Sequence, residues 1–254
     1  MNEDMEFELT NRQRACLGLD QVEPHWERVE LNERVCVWFD GDVIRKWASC
    51  SKAGNWYFES RCEIPTAANR TIVLPKTKRG KPVPFNVNVV STRDTGSYFK
   101  YDENGPRIAN YTTQTTYYSA YREGCKLKWN TFDEFPAWLD KWVADTTPED
   151  LAEAERFRTA KRVHVKAIRA GDYFAVRFNR RAWGFGRVLL DVTELRKDPT
   201  FEAGKNYGLS SIMGKPYIVK IYHYFSDTPH IDLDALNDCP AFPSQAIMDN
   251  HLFY

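Results

Sequence analysis

The chain of 254 residues is long enough to bury a sizeable core as one large domain or two modest ones, and its 43% hydrophobic content excludes general disorder. Its 35 Lys and Arg balance 35 Asp and Glu, so it lacks the net cationic field that general nucleic-acid binding uses to release counterions. No apolar run approaches the ~20 residues of a membrane helix, and the acidic start Met1-Asn2-Glu3-Asp4 has neither region of a secretion signal, which points to a cytoplasmic protein without membrane contact.

Residues 1 to about 31 read as an acidic, peripheral lead-in carrying Glu23, Glu27 and Glu30, with Glu33 just beyond. From Arg34 onward Val35, Val37 and Phe39 alternate into the turn Asp40-Gly41-Asp42, which predicts a hairpin. Further strands are predicted over 56–64, 70–74, 85–90 and the Tyr- and Thr-rich run 108–121, punctuated by Gly54, Gly80, Gly96, Gly105 and Gly124. Thr131 followed by Glu134 suggests a capping box, and Phe132, Phe135, Trp138, Leu139, Trp142 and Val143 then share one helical face. Thr147-Pro148-Glu149-Asp150 opens a second helix running to about Arg162. Strands return over 163–168, 173–178, 183–191 and 216–225, with a polar hairpin tip at 179–182 and one helical turn at 232–236. The expected fold is α+β: an N-terminal β-rich domain (1–130), a helical connector (131–162) and a C-terminal domain (163–254) built on a small curved or barrel-like sheet, with the sheets mainly antiparallel.

The chemistry-bearing residues assemble no catalytic site. Cys16, Cys36, Cys50, Cys62, Cys125 and Cys239 form no C-x-x-C pair and have no His partner at zinc spacing, so buried free thiols and no metal are expected. None of the five His falls at i, i+4 beside a carboxylate on a helix, and a Cys239 nucleophile with His223 or His230 as base rests on nothing but the presence of those residue types. Gly184-Phe185-Gly186 lacks the third glycine and the helix of a dinucleotide fingerprint, so its glycines are expected to let a strand bend or another chain approach. Gly208 to Lys215 misses the phosphate-loop spacing, and Pro216 stands where Ser or Thr is needed. No cofactor is expected.

Three sets of residues are candidate contacts. Arg180-Arg181 beside Trp183 joins fixed charge to a rigid aromatic plate. Lys76, Lys78, Arg79 and Lys81 crowd one loop that suits an acidic partner or phosphate, and equally a solvated hairpin tip that guards a sheet edge. The acidic set Glu23, Glu27, Glu30 and Glu33 suits a basic partner.

Three further stretches carry a family likeness: Gly171-Asp172-Tyr173-Phe174-Ala175-Val176, then Trp183-Gly184-Phe185-Gly186-Arg187-Val188-Leu189, then Ser244-Gln245-Ala246-Ile247-Met248-Asp249-Asn250 with Phe253-Tyr254. In these the segment from 168 to 254 resembles the immunity protein 26 family of bacterial polymorphic toxin systems. Members of that family continue past the last motif into another strand, whereas this chain stops at Tyr254. The resemblance implies a cytosolic, non-enzymatic protein that binds a cognate toxin domain and blocks it, with Gly171, Asp172, Gly184, Gly186, Met248 and Asp249 in structural roles. Two other classes are carried alongside: a nucleic-acid-associated β module, marked by steep salt dependence, and an enzyme with a spatially assembled site, marked by a deep pocket with displaced pKa values.

Overall fold

Val, Trp, Phe and Tyr crowd the segment 35–65, and such side chains favour a pleated, buried surface. In the computed structural model, which describes residues 7–66, 94–123, 128–162 and 168–247, this segment forms the middle of an antiparallel sheet. The chain divides into two compact units, Met1–Lys161 and Arg162–Tyr254, each built on one such sheet with a few helices, so the fold is α+β.

The N-terminal sheet runs in chain order through β1 (Glu27–Asn32), β2 (Val35–Asp40), β3 (Val43–Ser51), β4 (Trp56–Pro65), β5 (Asp94–Tyr101), β6 (Arg107–Asn110) and β7 (Thr115–Ser119). Gly41, at φ +58°, takes the left-handed conformation the β2–β3 turn needs. The run expected as one strand over 108–121 is in fact β6 and β7. The chain reverses between them, and Gln114 adopts φ +59° there. The expected strands 70–74 and 85–90 lie outside the described residues.

Helices α1 (Asn11–Cys16), α2 (Ala120–Glu123), α3 (Glu134–Ala144) and α4 (Pro148–Thr159) complete this unit. Phe135, Leu139 and Trp142 of α3 bury against Trp38, Tyr57, Phe99 and Tyr101 of the sheet, with Trp138 partly buried beside them. The helical pair thus contributes a layer of the N-terminal core, and Trp142 Nε1 donates to Cys16 O at 2.9 Å. The first helix begins later than its sequence suggests. Asp133 occupies the N-cap without a side-chain bond, while the Glu134 carboxylate reaches back to the Asn130 and Thr131 N–H groups. The second carries the expected capping box between Thr147 and Asp150, with Pro148 in its first turn.

The lead-in is not peripheral. Leu9, Leu17 and Leu19 are almost wholly buried in the same core, and the sheet already starts at Glu27. Arg14 enters with it. Glu59 of β4, fully buried, accepts from Arg14 Nε of α1 (2.7 Å) and Tyr57 OH (2.6 Å), and pairs with Lys46 Nζ of β3 (2.5 Å). Burial alone would push the Glu59 carboxyl up, but Lys46 and Arg14 together hold it at about 2. Burial pulls Lys46 below its usual value, with the charge of Glu59 opposing. Cys16, Cys36, Cys50 and Cys62 are buried free thiols; Cys125 lies outside the described residues.

The C-terminal sheet has strand order β11-β10-β9-β8, all antiparallel neighbours: β8 (Tyr173–Asn179), β9 (Ala182–Asp191), β10 (Tyr217–Ser226) and β11 (Gln245–Ile247). Among the described residues this sheet is open rather than closed into a barrel. Short helical turns at Val192–Leu195, Tyr207–Ser210 and Leu233–Leu236 fill its connections. No helix among the described residues is long and apolar enough to cross a membrane.

Candidate functional site

Side chains alternate along a strand, so register decides which residues share a face. Tyr173, Ala175 and Arg177 of β8 stand opposite Arg187, Phe185 and Trp183 of β9, and Lys220 of β10 stands opposite Arg187, placing all of them on one face. The other face carries Phe174, Val188, Val219 and Ile221. On the first face each cation lies over a ring. Arg177 sits 4.3 Å above Trp183, Arg187 5.0 Å above Tyr173, and the Lys220 ammonium 4.8 Å above Tyr222. Tyr173 and Tyr222 stack at 6.4 Å, and burial, with Tyr173 beside it, pushes the Tyr222 phenol up.

The turn before β8 fixes this arrangement. Gly171 adopts φ +101°, where a Cβ is disfavoured. Its N–H donates to Val188 O, Val188 N–H donates back to Asp172 O, and Gly171 O accepts from Arg187 Nε at 3.2 Å. The Asp172 carboxylate accepts the Arg169 N–H at 2.7 Å. The Gly-Asp turn therefore pins β9 and holds one edge of the Arg187 guanidinium.

The two glycines of β9 differ. A Cβ on Gly186 would lie 2.8 Å from both Lys220 O and Phe174 Cε2, whereas at Gly184 the nearest atom, Phe225 Cε1, is 3.7 Å away. Gly186→Ala should lower the stability of the C-terminal unit by about 1–3 kcal/mol, and Gly184→Ala should move it by less than about 0.5 kcal/mol. Urea denaturation of the two variants distinguishes them, and equal effects would refute this account of the strand.

The remaining candidates are dispersed. Arg180 and Arg181 form the two-residue tip between β8 and β9. Only Arg181 is exposed; Arg180 lies back at 9% exposure, with its carbonyl accepting from Arg177 Nη1. Trp183 is half-buried and already covered on one side by Arg177. Glu23, Glu27 and Glu33 are exposed on the N-terminal unit, where Glu30 pairs with Arg28 (2.6 Å) and Glu33 with Arg34 (3.3 Å). Lys76, Lys78, Arg79 and Lys81 lie outside the described residues, as do Met248 and Asp249. Cys239 donates its thiol to Ala235 O and packs with Phe185 and Leu236, whereas His223 packs on Phe242. No group of three or more metal-ligating side chains occurs among the described residues.

The N-terminal unit also has an open cleft of about 680 Å³ near Trp26, lined by Glu23 and by two ion pairs, Arg45 with Asp40 (3.1 Å) and Arg158 with Asp20 (2.5 Å). Sequence reasoning missed the set Arg177, Arg187 and Lys220. Its one local signal was that the stretches 173–179, 182–190 and 217–226 contain these cations and no Asp or Glu.

Residues 169–254 match the immunity protein 26 family. The match spans the C-terminal third of the chain, from two residues before Gly171 through every strand of the second sheet. No curated protein matches the chain, and no solved structure does. Within the matched segment, Gly171, Asp172 and Gly186 have scaffold roles visible in the hydrogen bonds and close contacts above. Of the three cations on that face Arg187 is exposed, and Arg177 and Lys220 are half-buried.

Proposed function

We propose that this protein is an immunity protein, acting in the cytosol to bind the toxin domain of a polymorphic toxin system and block it. The observation that carries this reading is the family match, which coincides with a compact unit possessing its own sheet and core. Inhibition by binding asks for a rigid, exposed surface rather than for nucleophile, base or metal, and the scaffold residues of the segment supply rigidity. The toxin would bury about 800 Å² of this protein around a few anchors, either covering its active site or distorting it from elsewhere.

Of the three candidate contact sets, only the hairpin at Arg180, Arg181 and Trp183 falls inside the matched segment, which supports a contact on the C-terminal unit. The acidic set and the Lys76 to Lys81 loop would then be secondary.

The test is co-expression of the full chain with the toxin domain encoded beside its gene. Cells producing both should survive, and the two proteins should co-elute as a stoichiometric complex. Death of cells containing a folded, soluble full-length chain would overturn the proposal.

A further inference from the structure

We infer that Arg187 and Lys220 form an anion clamp that takes the carboxylates of an acidic segment on a protein partner. Four observations carry this. The two side chains are direct cross-strand partners on β9 and β10, a placement in which like charges destabilise a sheet. Neither makes an ion pair among the described residues, although neighbouring exposed lysines do: Lys197 pairs with Glu194 and Lys205 with Glu202. The three long strands of this unit add Arg177 on the same face, and their one carboxylate, Asp191 at the end of β9, stands opposite Tyr217 on the other face. Finally, both cations are held in place, Arg187 by Gly171 O and the Tyr173 ring, Lys220 by the Tyr222 ring.

Two like charges that face each other, neither with an ion-pair partner among the described residues, leave this part of the sheet electrostatically incomplete. An incoming carboxylate would relieve the repulsion. It would also meet cations whose freedom is already restricted, which lowers the entropy lost on binding. Arg187 offers the planar fork suited to a carboxylate, and Lys220 adds a point charge beside it. A protein is favoured over nucleic acid because the chain as a whole balances 35 cations with 35 anions, so the long-range field that drives polyphosphate binding is lacking.

The inference rests on the immunity reading only for the partner's identity, and its test needs no toxin. Fluorescence anisotropy of the full chain would use a labelled peptide of roughly ten glutamates at about 50 mM salt, with an oligothymidylate of similar charge as the rival probe. The wild type should bind the peptide. The double variant Arg187→Gln, Lys220→Gln should lose about tenfold or more, and Lys197→Gln, Lys205→Gln should match the wild type. Circular dichroism verifies that each variant is folded. The thermal midpoint of Lys220→Gln should hold or rise, because one of two facing charges is gone. Absent peptide binding, unchanged binding by the double variant, tighter binding of the oligonucleotide, or a fall of several degrees in that midpoint would each overturn the clamp. Failed protection against the toxin in cells, with peptide binding intact, would instead count against the immunity reading alone.

Discussion

Glu59→Ala should destabilise the N-terminal unit by about 3–5 kcal/mol, enough to unfold a marginal domain. The carboxylate is fully buried between Arg14 and Lys46, and removing it leaves buried Lys46 without its carboxylate partner and Arg14 with only Glu8, at 3.3 Å. Glu59→Gln preserves the shape but not the charge and should fall between wild type and Glu59→Ala. Replacing Arg14, Lys46 and Glu59 together by apolar residues of similar volume should recover most of the loss, since a wholly apolar cluster has no ion to desolvate. Urea denaturation read by tryptophan fluorescence orders the four proteins; a Glu59→Ala midpoint equal to the wild type would refute the role assigned to the cluster. The same group sets an acid limit. Its folded value, about 2, lies below the usual 4.5, so its stabilisation is present above the unfolded value and is lost as pH falls from about 4.5 towards about 2. In Glu59→Gln that component of acid sensitivity should vanish.

Phe135→Ala should cost a comparable amount, about 3–5 kcal/mol. Its ring lies within 5.0 Å of Phe7 and Tyr101, 5.3 Å of Phe99 and 5.4 Å of Tyr57, so truncation opens a cavity where α3 meets β4 and β5. None of those rings can swing into the gap without leaving another contact. Phe135→Leu, which refills most of the volume, should recover at least half of the loss. Thermal unfolding of both variants checks this, and a loss of under about 1 kcal/mol for Phe135→Ala would mean that α3 sits on the sheet without holding it.

What was legible in the sequence was what is local. The β2–β3 hairpin follows from alternation into Asp40-Gly41-Asp42, and the start of α4 from Thr147-Pro148 with Asp150. The apolar stripe from Phe132 to Trp142 marked α3, yet its partner surface came from strands far away in the chain. Helix α1 is only six residues long, too short for a period to emerge, and β1 shows only Val29 and Leu31 among charges. Hence the lead-in looked peripheral. Nothing local marks Glu59 and Lys46 as buried, because Arg14, which pairs with Glu59, lies 45 positions before it. At the candidate site the turn and its glycines were visible as a family pattern. The facing of Arg187 and Lys220 was not, because it depends on the register of β9 against β10, and β-bulges interrupt that register.

The cysteines of the N-terminal unit give its fold a second chemical identity. A thiol reacts as its thiolate, and burial pushes Cys36 up to about 12 and Cys62 higher still, while Cys16 and Cys50 are shut inside the same unit. Oxidants and electrophiles therefore meet almost none of the sulfur of these four residues while the sheet is closed. Every excursion that parts β2, β3 and β4 exposes several thiols at once, so under oxidative stress a brief opening can become permanent through mispaired disulfides or sulfinic acids. For Cys16, Cys36, Cys50 and Cys62, kinetic resistance to opening and resistance to oxidation are one property.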